Sequence, residues 1–343
     1  MCASRSESTG YRRKHPKEPS LPGPKSGGWA LTASPPMRIL WPKLSWWRAR
    51  VCSVHNNKFT TDSPHDDKNM TTFSAWVGVD PRGVSSMYFA SDSRVSWGKN
   101  TSWDHGQKVV ASRVEPEIFG FTGYVTLPQT IIAKAVQQID LRLRSANDQA
   151  SIDGRVDWLY ERIKKVAEEH PAIDPIEDGN FTIFYGVRIG QGMPGRSTFC
   201  LNTFAWDARS TCLKHASIPM PSRSAVLQIS GTGSPWLNEK NEIWRNSDQG
   251  NTSRTMFSAF CDALKAGNDP YSGGEPQLVG IYRKGPGRVF GIVTEKGASF
   301  QGELNMELST AAEIEWRDTL FQRVDAEGRV LKKAQRHARP AGV

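Results

Sequence analysis

Met70-Thr71-Thr72-Phe73-Ser74-Ala75-Trp76-Val77-Gly78-Val79 is the stretch on which the reading of this 343-residue chain turns. It is a run of β-forming and aromatic residues with a pair of threonines at its head, directly behind a methionine. If a chain began at Thr71, that residue would carry a hydroxyl nucleophile and a free α-amine to serve as its base, a known way of activating a weak nucleophile. Taken alone, Thr-Thr is ordinary strand-opening sequence, so the sharper reading needs support from elsewhere.

Working outward, 72–79 is expected to be a strand and Asp80-Pro81-Arg82-Gly83 a turn, with Pro set for its second position and Gly for its last. A second strand at 84–91 completes a hairpin. Short apolar pieces come next at 108–111 and 118–122, the latter ending at Gly123. Thr126 and Gln129 have capping-box spacing, and Leu127, Ile131, Ile132, Val136, Ile139 and Leu143 form one helical stripe. A second helix is expected over about 153–169, with Val156, Leu159, Ile163 and Val166 inward.

Strands are expected again at 181–189, 198–206 and 225–229. Ser230-Gly231-Thr232-Gly233-Ser234 reads as a tight turn into a helix, and 252–266 as a further helix that packs through Met256, Phe257, Phe260 and Leu264 and stops at Gly267. Strands at 277–282 and 288–293 and a last helix at about 310–323 complete the body. Strands, two helices, strands, two helices and strands suggest an α+β layered fold, and a four-layer α-β-β-α sandwich fits that order.

Charge is unevenly placed. The whole chain carries +9, but residues 1–69 hold 12 basic and 5 acidic residues and 328–343 hold 5 basic and no acidic ones. Residues 70–327 are therefore left at −3, which does not indicate a nucleic-acid surface on the body. The five cysteines are widely spaced, with no C-x-x-C and no His at metal spacing, so neither a disulfide framework nor a metal site is expected. No run is apolar enough for a spanning helix, and a soluble, cytoplasmic body is expected.

Residues 1–69, rich in Pro, Ser, Gly and basic residues, are expected to be a disordered extension. It could be a propeptide, a targeting segment, or the result of a start assigned upstream of Met70, with the last favoured. The body is expected over 70–325, with a basic tail at 326–343.

Four blocks, in order, resemble the proteasome β-type subunits and their bacterial relative, the HslV peptidase. Thr71-Thr72 opens a strand; Ala90-Ser91-Asp92-Ser93-Arg94 is similar to the family's Ala-x-Asp-Ser-Arg. Lys108-Val109-Val110 lies sixteen residues after Asp92, the family's acid-to-lysine spacing, and is followed by Phe119-Gly120-Phe121-Thr122-Gly123. Ser230-Gly231-Thr232-Gly233-Ser234 and Asp269-Pro270-Tyr271-Ser272-Gly273-Gly274 resemble the family's late Gly-Ser-Gly-Ser and Asp-x-x-Ser-Gly-Gly.

The resemblance spans about 71–293. It implies a threonine-type peptidase or amidase in a ring-like homo-oligomer, acting on peptides or unfolded proteins without a cofactor, with an ATP-dependent unfoldase as a possible partner. It makes Thr71 the nucleophile, Lys108 the cation beside it, Asp92 the group that orients Lys108, and Gly123 an oxyanion donor. Thr232, Asp269 and Ser272 match the family's second polar group near the terminal amine, and substrate contacts are implied at Arg94, Ser96 and Phe121. The bulk of Phe121 suggests small or slender side chains before the cut bond.

The sequence departs from the pattern in a longer first hairpin, in one extra residue between Lys108 and Gly123, in Thr232 where serine is usual, and in Met70 where proteasome precursors carry glycine. Met70 suggests removal of an initiator methionine. An uncleaved extension would instead fit a catalytically silent ring scaffold, and basic tails that bind nucleic acid or membrane are a third, less favoured reading.

Overall fold

The computed structural model describes residues 70–97, 101–170, 179–192, 196–304 and 314–340. The expected extension at 1–69 lies outside the described residues. The chain folds as α+β, and the hairpin comes first: β1 (Phe73–Asp80) and β2 (Gly83–Ser91) pair antiparallel, with Asp80 opposite Gly83 across a two-residue link. Gly83 sits at φ +98°, a conformation that suits a residue without Cβ.

After β3 (Val95–Trp97) and β4 (Thr101–Trp103), which pair only with each other, come β5 (Val109–Ala111) and β6 (Glu117–Gly123). The first helical group is α1 (Thr126–Asp140), α2 (Ala146–Ala150) and α3 (Ile152–Glu169). The chain continues through β7 (Phe181–Gly190), β8 (Ser197–Asp207), β9 (Cys212–Ile218) and β10 (Ala225–Ser230). The second helical pair, α4 (Ser234–Arg245) and α5 (Ser253–Ala266), precedes β11 (Gln277–Tyr282), β12 (Arg288–Thr294), β13 (Gly297–Phe300) and β14 (Glu303–Leu304). β15 (Glu315–Asp318) and β16 (Arg323–Val324) come last.

One sheet runs β10-β1-β2-β11-β12-β13-β14, with β15 added parallel to β12 and β16 antiparallel to β15; the other runs β5-β6-β7-β8-β9. The period of two along each strand sorts side chains between cores. Phe73, Ala75 and Val77 of β1 join Met87, Phe89, Val279 and Ile281 against Val109, Ile118, Phe184 and Leu201, which fills the space between the sheets. Trp76, on the other face of β1, packs with Tyr88, Leu278 and Phe290 against Leu237, Phe257 and Phe260 of α4 and α5. Phe119, Phe121, Ile183 and Tyr185 face Leu127, Ile131, Leu159 and Ile163 of α1 and α3. Each such fully buried side chain contributes about 1.5–3 kcal/mol.

Phe73, two residues from Thr71, anchors the head of β1. Its ring stacks on Phe184 at 4.1 Å and lies against Gly120, where a Cβ would come within 2.5 Å of the ring. The start of the strand is thereby fixed to the second sheet.

Several expectations need correction. Thr126 is the first residue of α1 and makes no side-chain cap; the hydroxyl of Thr130 donates to its carbonyl instead. Leu143 falls beyond the end of α1 and is 64% exposed, so the stripe ends at Ile139. The helix expected at about 310–323 is not helical where it is described, from 314 onward: Trp316 and Arg317 pair along β12, and the Trp316 ring covers Gly291, where a Cβ would lie 2.2 Å away. Parallel pairing and the ring seat outweigh a helical pattern there. The tail is also less free than its charge suggests, since His337 is buried beside Trp244 and Arg339 pairs with Asp262. No helix among the described residues is long and apolar enough to cross a membrane.

Candidate active site

Thr71, Asp92 and Lys108 meet with no exposed surface on any of the three. Asp92 comes directly after the last residue of β2 and Lys108 precedes β5, so the acid and the cation come from different sheets. The Lys108 ammonium donates to Asp92 Oδ1 at 2.9 Å and to Thr71 Oγ1 at 3.1 Å. Thr71 Oγ1 in turn donates to the Met70 carbonyl.

Asp92 is held by more than the lysine. Oδ1 also accepts the Thr72 N–H at 3.0 Å, and Oδ2 accepts the N–H groups of Arg94 and Gly273 at 3.1 and 3.0 Å. Four donors use the lone pairs of one ionised carboxylate, which fixes its plane and makes burial of the charge tolerable. Burial pushes the Lys108 pKa down from its ordinary 10.5, against the opposing pull of Asp92. A buried ammonium with a lowered pKa, three ångströms from a hydroxyl, can orient that hydroxyl and exchange a proton with it.

The second group also assembles. Thr232 Oγ1 and Ser272 Oγ both donate to Asp269 Oδ2 at 2.6 Å, and Tyr271 N–H donates to Oδ1 at 3.1 Å. What this group meets is Thr72, whose hydroxyl donates to Ser272 Oγ at 2.8 Å. Adjacent residues of an extended chain point to opposite sides, so one threonine faces Lys108 and the next faces Asp269 and Ser272. Gly233 allows the approach: a Cβ there would lie 1.8 Å from Thr72 Oγ1, and its N–H donates to the Thr71 carbonyl at 3.3 Å. Thr72 was not among the residues expected from sequence, although the alternation of the Thr-Thr pair contains the signal.

Gly123 closes β6 at φ +95°. Its neighbour Thr122 is 3.1 Å from Ser230 Oγ, and Ser230 lies opposite Phe73 in the sheet, which brings Gly123 to the same end of β1. Among the described residues no hydrogen bond joins Gly123 to Thr71.

The three expected substrate contacts differ. Arg94 is committed to the protein: it grips Asp104 through Nε and Nη2 at 2.7 and 2.9 Å, and Nη1 reaches the Pro270 and Ser272 carbonyls at 3.3 and 3.4 Å. Its guanidinium lies over Gly273, where a Cβ would be 2.4 Å from Cζ, so Arg94 clamps the loop that carries Asp269 and Ser272. Ser96 is buried in β3, and its hydroxyl has no partner among the described residues. Phe121 donates its N–H to the Lys108 carbonyl at 3.3 Å and lines a cavity of about 470 Å³ with Gln107, Val110, Gln129, Ile132 and Val136. Its ring is turned into the core beneath α1, so it forms a wall of this cavity and does not plug it.

Gln277 is the other residue that sequence reasoning passed over. It is 1% exposed, and its side-chain amide holds the backbone on both sides of Lys108.

No family model matches the chain, and no curated protein matches it. Solved structures similar to it include eukaryotic HslV from Trypanosoma brucei, with 11% identity and a TM-score of 0.36 over 61% of this chain and 99% of that one. Thiobacillus denitrificans BPH in complex with epoxomicin gives 15% identity and a TM-score of 0.37 over 62% of this chain and 100% of that one. Anbu (ancestral β-subunit) from Yersinia bercovieri gives 12% and 0.42, over 62% of this chain and 85% of its own length. HslV, BPH and Anbu are proteasome-like N-terminal nucleophile hydrolase folds.

Proposed function

We propose that this chain is a threonine-type peptidase or amidase whose nucleophile is Thr71 once that residue begins the chain. The observation that carries the reading is the fully buried trio in which the Lys108 ammonium lies 3.1 Å from Thr71 Oγ1 and 2.9 Å from Asp92. A buried ion pair used only for structure has no need to end on a hydroxyl at the head of a strand.

In this mechanism the free α-amine of Thr71, which titrates at roughly 7.7–8.0 when unperturbed, takes the hydroxyl proton. Lys108 orients Oγ1 and its charge keeps the amine from holding a proton, while Asp92 holds Lys108 in place. Oγ1 attacks the substrate carbonyl carbon, and the developing oxyanion is met by the Gly123 N–H. The amine returns its proton to the leaving nitrogen, leaving an ester on Thr71, and water attacks the ester by the same route in reverse. Thr72, Thr232, Asp269 and Ser272 hold the start of the chain, and Arg94 braces their loop. The cavity beside Lys108 receives the side chain before the cut bond; with Phe121 as a wall, it suits branched or aromatic apolar groups more than the slender ones expected from sequence.

The three stacked cores support reading residues 70–325 as one four-layer α-β-β-α body, with 1–69 an extension to be removed or never made and 326–343 a basic tail. On this reading the enzyme is cytoplasmic, works as a ring of identical subunits on unfolded protein, and could be fed by an ATP-driven unfoldase.

The test is a chain that starts at Met70, sequenced from its N-terminus and given a panel of fluorogenic peptides. Thr71 should be first, large apolar residues should be preferred before the cut, and Thr71→Ala should abolish hydrolysis. Full activity in Thr71→Ala would overturn the mechanism, and a preference for small residues would overturn the assignment of the cavity.

A further inference from the structure

The acid and the lysine of the proposed site belong to different sheets, and the apolar packing between those sheets has no direction of its own. Something polar must set the position of Lys108 relative to Asp92. We infer that Gln277 is the positioning residue that does so; the inference rests on the peptidase reading for its catalytic consequence but not for its geometry.

Gln277 opens β11, and its backbone lies opposite Ser91, the residue before Asp92. It therefore belongs to the sheet that carries the acid. Its side chain crosses to the segment that carries the lysine. Oε1 accepts the N–H of Lys108 at 2.9 Å and of Val109 at 3.4 Å. Nε2 donates to the Gly106 carbonyl at 2.6 Å and to the Gln301 carbonyl at 3.3 Å.

A primary amide has two N–H donors and two acceptor lone pairs on oxygen, and here all four are used. The pattern also fixes which way the amide faces, because a flip would set its donors against two N–H groups and its acceptor against two carbonyls. Gly302 leaves room for it, since a Cβ there would lie 2.9 Å from Nε2. No other side chain meets these needs. Glutamate at this place would turn two donors into acceptors that face carbonyls, methionine would satisfy none of the four groups, and asparagine is one methylene short.

The experiment compares wild type, Gln277→Met and Gln277→Glu in the chain that starts at Met70. It reads kcat and KM across pH on a fluorogenic peptide, and hydrogen exchange at the Lys108 and Val109 amides. Gln277→Met should exchange faster at both amides and lose about 10²-fold in kcat with KM little changed, since a displacement of an ångström at a reacting group costs on that order. Protonation of the Thr71 amine lowers kcat towards acid pH in both proteins, but the ratio of Gln277→Glu to wild type should rise there as the glutamate carboxyl takes a proton and one donor is restored.

Wild-type kcat and wild-type exchange in Gln277→Met would overturn the inference, as would a Gln277→Glu profile parallel to wild type. If Gln277→Met does not fold, the pH profile of Gln277→Glu decides. An inactive wild type with Thr71 first would instead overturn the peptidase reading, and exchange at Lys108 and Val109 would still decide whether Gln277 holds that segment.

Discussion

Asp92–Lys108 and Glu117–Arg144–Arg155 both place ion pairs out of reach of water, yet they end in different chemistry. Glu117 is fully buried; its Oε1 accepts Arg144 at 2.6 Å and Arg155 at 2.7 Å, and its Oε2 accepts the Tyr185 hydroxyl at 2.8 Å. Every group around it is inert. The guanidiniums do not deprotonate in proteins, and burial, with Glu117 adding to it, holds the Tyr185 phenol well above its ordinary range. Arg144 also lies over the Trp158 ring at 4.9 Å, which ties α3 to the loop between α1 and α2. The charge there is locked.

In the other cluster the cation is a lysine whose pKa burial lowers, and its free direction points to the Thr71 hydroxyl. Burial of charge alone does not mark a reacting centre; on the proposed reading the mark is a buried cation aimed at a hydroxyl that can act as a nucleophile.

The difference can be broken in three ways. The largest effect should come from Lys108→Ala, for which steady-state hydrolysis by the chain with Thr71 first should fall by about 10²–10³-fold, the range for loss of one preorganised electrostatic group. Activity close to wild type would erase the distinction between the clusters.

Glu117→Gln should act on stability alone. It leaves Arg144 without its carboxylate and Arg155 with only the partly exposed Glu115 at 3.4 Å, and breaking a buried pair in this way costs about 3–5 kcal/mol, read as a lower denaturation midpoint in urea. Activity per folded molecule should stay at the wild-type level; a fall in kcat with the fold intact would give Glu117 a role in the reaction.

The smallest effect is in alkaline stability. Because the Lys108 pKa is lowered from 10.5 on folding, the unfolded chain keeps a proton between the two values that the folded chain has released. The unfolded state then binds more protons, so this lysine's contribution to stability rises with pH through that window and is flat above 10.5. The difference in stability between wild type and Lys108→Met should therefore slope with pH, whereas that between wild type and Glu117→Gln should not slope there on account of Lys108. A level difference for Lys108→Met would contradict the lowered pKa.

Much of the fold could be read from local signals. Pro81 and Gly83 mark the hairpin, a run of β-forming and aromatic residues marks β1, and Gly267 in the left-handed conformation stops α5 where expected. β9 was missed because Cys212, Lys214 and His215 interrupt its apolar pattern, and its strand character comes from pairing with β8. The helix expected at about 310–323 differs from the structure for the same reason, since the seat of Trp316 on Gly291 is set by a distant strand.

In the site, Asp92 and Lys108 are legible only through the resemblance to the proteasome family that their spacing helps to carry, and that they meet across two sheets is a property of the packed chain. Thr72 could have been found from the alternation of Thr71-Thr72. Gln277 could not, because a glutamine that opens a strand carries no mark of the four backbone groups it will serve.

The central claim is that Thr71 Oγ1 is the attacking atom. The chain starting at Met70, once Thr71 is exposed, should be treated with a peptide epoxyketone, digested, and weighed peptide by peptide. The account predicts one adduct, on the peptide that begins at Thr71, lost in Thr71→Ala and slowed in Lys108→Ala. An adduct that survives in Thr71→Ala, or hydrolysis by a chain that carries none, would contradict it.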